Sequence, residues 1–211
     1  KGKWGALADA DDVWLPERLE KLLIAIGEEP YGKYFVTDNH MVCFDSPSGL
    51  IKWKSSLELF YNVRTKEILE LSLSDFLKLG SPILKPVFPL TMVQAHKIFF
   101  NPNTHFAEDF EFVSNLFRIG LKLKILPDSY YFYRLTPGSI TGSKHSINGR
   151  INALESLILT NGFTEEEKNL FRVLLEQEKV ESKYQKFAFY LKKRNFSKAF
   201  TFAIGHPSLP F

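Results

Sequence analysis

The sequence predicts an α/β fold, a mixed sheet with flanking helices, followed by a C-terminal helical extension. Two observations carry this. Short apolar or alternating stretches of strand length are interspersed with segments of helical period, and Gly, Pro, Asn or Asp marks most junctions. From about Ser146 onward the pattern is helical almost to the end. The 211 residues, 45% hydrophobic and 15% aromatic, suffice for one packed domain with an appended tail, with the division expected between 1–145 and 146–211.

The elements follow in order. Trp4 to Ala8 reads as a strand that ends in acids. Pro16 with Glu17 starts a helix whose face is Leu19, Leu22, Leu23 and Ile26, closed by Gly27. Lys33 to Asp45 is rich in strand-favouring residues, and Ser46-Pro47-Ser48-Gly49 turns the chain back into Leu50 to Lys54, a hairpin. Leu71 to Leu79 reads as a short helix before Gly80. Ser81 to Pro89 holds three prolines and is expected to be irregular. Thr91 to Ala95 reads as a strand and Asn101-Pro102-Asn103 as a turn. Glu108 to Ile119 is a helix with acids in its first turn and Gly120 at its end. Leu121 to Leu126 alternates apolar residues with lysine, and Tyr130 to Arg134 is an extended aromatic run before a Pro137-Gly138 turn. Helix breaks fall near Asn161-Gly162, Asn195 and His206-Pro207.

Composition excludes several classes. The net charge of +3 is modest and its acids and bases are interspersed, so no nucleic-acid partner is expected. Cys43 is the sole cysteine, which forbids an internal disulfide and fits a reducing cytoplasm. No run of about 18 apolar residues suggests a spanning helix, and Lys1-Gly2-Lys3-Trp4 does not open a signal peptide. A strand enters at once at Trp4 with nothing before it to pair with. The expectation is that the chain belongs to a longer protein.

Asp9-Ala10-Asp11-Asp12 delivers three carboxylates to one point at the end of an apolar stretch. In an extended chain Asp9 and Asp11 point one way and Asp12 the other. Paired carboxylates suit a hard divalent cation bridging to phosphate. An EF-hand loop is excluded, because Trp14 stands where its sixth-position glycine belongs and Pro16 follows too soon. A haloacid-dehalogenase-like phosphatase would read Asp9-Ala10-Asp11-Asp12-Val13 as its nucleophile motif with Asp9 attacking phosphorus, although no Gly-Asp dipeptide supplies that class's later metal motif. An acidic turn that caps the helix at Pro16 is the plainest alternative. Glu108-Asp109 lies at a helix N-terminus, where acids are stabilised by the helix dipole; as chemistry, a carboxylate there would serve as a general base. Arg134 closes the aromatic strand and suits a phosphate or a carboxylate.

Together these segments resemble bacterial family 2 glycosyltransferases of the GT-A (Rossmann-like) fold. The resemblance rests on Asp9-Ala10-Asp11-Asp12-Val13-Trp14-Leu15-Pro16-Glu17-Arg18-Leu19-Glu20, on Glu108-Asp109-Phe110-Glu111-Phe112 with Gly120, and on Tyr133-Arg134 followed by Gly138-Ser139-Ile140-Thr141. It covers residues 1 to 141 and implies a partial GT-A catalytic domain over 1–145. It further implies that Asp9 meets the donor's ribose or metal, that Asp11 is the principal ligand of Mn²⁺ or Mg²⁺, and that Asp12 supports the sugar or the metal. Asp109 matches the catalytic base, Glu108 orients acceptor or donor, and Arg134 joins the donor site. The implied reaction is inverting transfer from a nucleotide-sugar, expected to be a UDP-sugar, to a glycan or lipid-linked acceptor, as in polysaccharide biosynthesis. A non-catalytic remnant acting as an interaction module is a further alternative, against which donor hydrolysis abolished by Asp109→Asn in a length-restored protein would argue. The family's opening strand to Pro-x-Tyr-Asn, and its base-reading aspartate, have no counterpart before Lys1.

His145 sits where some relatives place a third metal ligand; a surface-loop histidine is the alternative. Asp38 either faces the acceptor or is a solvated loop acid. The tail interleaves Lys183, Lys186, Lys192, Lys193, Arg194 and Lys198 with seven aromatics between Tyr184 and Phe202. Two readings stay open: a helix pair resting peripherally on anionic lipid at the inner face of the membrane, or a hairpin packing its aromatics with lysines in water.

Overall fold

The computed structural model describes residues 2–27, 32–102, 104, 106–135 and 145–205, without the side chains of 145–147 and 203. The chain runs β1 (Trp4–Ala6), β2 (Val13–Trp14), α1 (Arg18–Ile26), β3 (Tyr34–Asp38), β4 (Met41–Ser46), β5 (Gly49–Ser55) and α2 (Ser56–Tyr61). There follow β6 (Leu69–Leu71), α3 (Leu73–Lys78), β7 (Val87–Pro89), α4 (Leu90–Ala95), α5 (Glu108–Arg118), β8 (Lys122–Leu126) and β9 (Tyr131–Arg134). Helices α6 (His145–Leu159), α7 (Glu165–Lys192) and α8 (Phe196–Ile204) complete it.

Two mixed sheets result. The larger has the order β1-β7-β3-β8-β6, with β3 and β8 parallel from Tyr34↔Lys122 to Asp38↔Leu126 and the other pairs antiparallel. All five residues of β3 are buried, as befits a central strand covered on both faces. Phe35, Phe88, Leu123 and Ile125 face the main apolar cluster, with Phe76 of α3, Leu116 of α5, Leu154 of α6 and Phe171 of α7. Their neighbours Val36, Val87 and Leu126 face the other way, onto Leu22 and Ile26 of α1. The sheet is thus the middle of three layers.

The smaller sheet has the order β2-β9-β4-β5. Its hairpin β4–β5 turns between Ser46 and Gly49, where the sequence placed it. Cys43 lies buried in β4, its thiol donating to the Met41 carbonyl, and burial pushes the thiol's pKa up. Because β1 belongs to one sheet and β2 to the other, the acids between them sit where the two sheets meet.

Several expectations are corrected. Lys33 to Asp45 is two strands in different sheets, broken at Asn39-His40. The proline-rich stretch contributes β7, whose Pro89 is the last strand residue, opposite Trp4, where a proline is tolerated. Thr91 to Ala95 is not a strand but part of α4, in which only Val93 is buried. Leu19 and Leu23 of α1 are exposed, and the buried stripe is Arg18, Leu22 and Ile26. Helix α2 and strand β6 were not anticipated. The Gly138–Thr141 segment lies outside the described residues.

Candidate active site

Strand β1 is held to the stretch before β7, where the Leu7 N–H donates to the Pro86 carbonyl at 3.0 Å. The chain then leaves the sheet and bends, with the Asp12 N–H 3.4 Å from the Asp9 carbonyl. The bend replaces the extended geometry expected from sequence, and it lets Asp9, Asp11 and Asp12 each present a carboxylate oxygen within 4.8 Å of the others. Asp11 is exposed and Asp9 half-buried, whereas Asp12 is committed to β9. Its oxygens accept from the Tyr131 hydroxyl at 2.6 Å and the Arg134 N–H at 2.8 Å. Burial raises the Asp12 pKa despite those two bonds. The Tyr131 hydroxyl also accepts from the Asp9 N–H at 3.1 Å, so one phenol ties both ends of the acid turn to the smaller sheet.

Below the turn lies a buried cation. Arg18 is completely buried; its guanidinium pairs with Asp38 at 2.9 Å and donates to the Lys85 carbonyl at 2.5 Å. It also lies in the corner made by the tilted rings of Trp14 and Tyr131, 4.4 and 4.7 Å from their centroids. Asp38 takes two further bonds, from the N–H groups of Tyr130 and Tyr131. It is therefore a buried clamp joining β3, α1 and β9, which corrects both sequence readings of that residue.

The second acidic group sits at the start of α5. Ala107, just before it, holds a left-handed backbone at φ 63°, strained for a residue with a Cβ. The first turn is fixed from behind by Glu111, which accepts from Thr104 and Ser156. Asp109 then meets Lys85, and Lys85 meets Asp9 at 2.8 Å. Burial disfavours the Lys85 ammonium, but Asp109 and Asp9 outweigh it and hold its pKa above the ordinary lysine value.

One buried ammonium thus joins the two acidic groups. Asp9, Lys85, Glu108 and Asp109 line a single cavity of about 440 Å³, with Tyr133 and Arg150 on its wall. Of the residues singled out from sequence, Asp9, Glu108 and Asp109 meet there, and Asp11 and Asp12 flank Asp9. Arg134 does not line that cavity: its backbone holds Asp12, while its side chain reaches Asp45 at 3.5 Å. The side chain of His145 lies outside the described residues. Sequence reasoning missed Lys85. The available signal was a lone lysine inside the apolar, proline-rich stretch 81–89, a residue type rarely buried unless paired.

No protein-family model matches the chain, and no curated protein sequence matches it. Among solved structures, S. aureus TarS 1-349 in complex with UDP-GlcNAc is similar at a TM-score of 0.55 and 17% identity, over 90% of this chain and 50% of that one. The same fragment with UDP gives 0.53 and 16%, over 89% and 48%. S. aureus TarS itself gives 0.56 and 16%, over 84% and 28%. The fold is glycosyltransferase-like, of the GT-A type. The chain spans half the length, or less, of these structures. No helix among the described residues is long and apolar enough to cross a membrane.

Proposed function

We propose that this protein is an inverting, family 2-type glycosyltransferase, or the catalytic part of one, using a UDP-sugar donor and a glycan or lipid-linked acceptor. One observation carries the reading: the acid turn and the first turn of α5, remote in sequence, line one cavity and share Lys85. The neighbours crystallised with UDP-GlcNAc and UDP support the donor class.

The three clustered carboxylates are an all-oxygen donor set suited to Mn²⁺ or Mg²⁺, with Asp11 the free ligand, Asp9 shared with Lys85 and Asp12 already engaged by Tyr131 and Arg134. Bound there, the ion would neutralise charge on the departing diphosphate. Asp109 takes the proton from the attacking acceptor hydroxyl, and the acceptor enters from the face opposite the nucleotide. Glu108 beside it orients the sugar. Lys85 fixes the distance between Asp109 and Asp9, so that base and donor site are set by one residue through two ion pairs.

The test is UDP binding by calorimetry with and without Mn²⁺, alongside UDP release from UDP-sugars. We expect Mn²⁺-dependent UDP binding, and Asp109→Asn to lower turnover by about 10²-fold or more with UDP binding kept. Absence of Mn²⁺-dependent UDP binding would overturn the reading. A phosphoenzyme trapped on Asp9 would favour the phosphatase instead. Undiminished donor turnover in Asp109→Asn would remove the assigned base.

A further inference from the structure

Helix α8 packs back onto α7 through Ala199, which is buried, and through Phe202, whose ring lies 5.9 Å from that of Tyr190. The remaining apolar residues do not share that contact. Phe196, Phe200 and Ile204 stand at i, i+4 and i+8, on one stripe of the helix, and are 64%, 70% and 67% exposed. Leu191, just before the bend into α8, is exposed as well. An apolar stripe of this length at the surface marks a binding face.

Charge identifies the partner. Between Ser182 and Gly205 the chain carries Lys183, Lys186, Lys192, Lys193, Arg194 and Lys198, and no aspartate or glutamate. Lys192, Lys193 and Arg194 form the exposed bend that leads straight into Phe196, and Lys198 is exposed one turn along. A short helix with an exposed apolar stripe, in a segment whose charged residues are all basic, matches an interface in which apolar side chains enter the headgroup boundary and ammonium groups meet anionic headgroups. Long basic side chains reach those headgroups from the flanks of such a helix. A second copy of this chain would bring the same six cations against themselves, which disfavours a self-interface.

We propose that the α7–α8 bend and the exposed stripe of α8 dock the protein peripherally on a bilayer surface carrying anionic lipid. Docking there is independent of the transferase reading, since none of these residues lines the cavity.

The experiment is co-sedimentation of the whole chain with phosphatidylcholine vesicles, with and without about 30 mol% phosphatidylglycerol, at low and high salt. We expect retention about tenfold or more greater on the anionic vesicles, falling with salt. Phe196→Ser with Phe200→Ser and Ile204→Ser, and separately Lys192→Glu with Lys193→Glu, should each abolish it while circular dichroism and thermal midpoint stay as in the parent. Equal retention on both vesicle types, no retention, or retention unchanged in both variants would overturn the proposal. So would a lipid-free dimer in sedimentation velocity that the triple serine variant dissolves, because the stripe would then be a self-interface.

Discussion

Lys85 touches both of the acids to which the transferase reading gives separate duties. Substituting Lys85→Met leaves Asp9 and Asp109 facing each other without a cation between them. We expect kcat to fall by about 10- to 10²-fold with a smaller change in donor KM, and Lys85→Arg to restore most of it. An unchanged kcat in Lys85→Met would show the contact to be incidental. His40 is a second buried titratable group near this point. It packs on Tyr131 at 4.5 Å between ring centroids, and burial, reinforced by Arg18 and Lys85 against the opposing pull of Asp38, lowers its pKa to about 4. The unfolded chain takes up that proton near the ordinary histidine value of 6.5, and the folded chain only near 4. Between those values protons favour the unfolded state. Stability from this residue is complete above the higher pH and is lost as pH falls through the window, by up to about 3 kcal/mol. Urea midpoints measured down that range should decline, and the decline should flatten in His40→Gln. Both residues escaped the sequence reading because their partners lie on other elements: the apolar setting of Lys85 hinted at burial but not at which acids it meets, and His40 carried no such hint.

Among the elements, the approach of α6 to the loop before α5 decides where Asp109 sits. Gly149 is buried on α6, and a Cβ there would lie 2.2 Å from that of Phe106. Gly149→Ala must push the two apart, against the strained Ala107 and the Glu111–Ser156 bond. We expect a loss of about 1–3 kcal/mol in chemical denaturation and a fall in turnover from displacement of Asp109. Stability equal to the parent would mean the helix slides without consequence. The elements that sequence identified well, α1, α5, β8 and the β4–β5 hairpin, had strong periodicity or turn chemistry of their own. Those it misread depend on tertiary contacts. Strand β7 is three residues long and exists because β1 and β3 flank it; α4 is the exception, since Leu90, Met92, Gln94 and Ala95 are helix formers and the strand reading gave too much weight to Thr91 and Val93.

Over the whole molecule, the main apolar cluster extends from the larger sheet through α5 and α6 as far as Leu175 in α7. Helix α8 adds little to it, with Ala199 its buried apolar residue among those described. Ending the chain after Lys193 should therefore lower stability by less than about 2 kcal/mol and leave Mn²⁺-dependent UDP binding intact. A cooperative loss of structure on that truncation would place α8 inside the folding unit. The GT-A class was legible because short motifs, each weak alone, together resemble one family in order and context. The contact that unites them was not legible, because Lys85 reaches Asp9 and Asp109 across separations that only the folded sheet closes. Cys43 carries a practical corollary. Shielded within β4 and reluctant to ionise, the chain's one thiol offers almost nothing to maleimides or nitroxide reagents. A cysteine introduced at an exposed position such as Thr201 would thus be the sole attachment point for a fluorophore or spin label, with the native residue left in place.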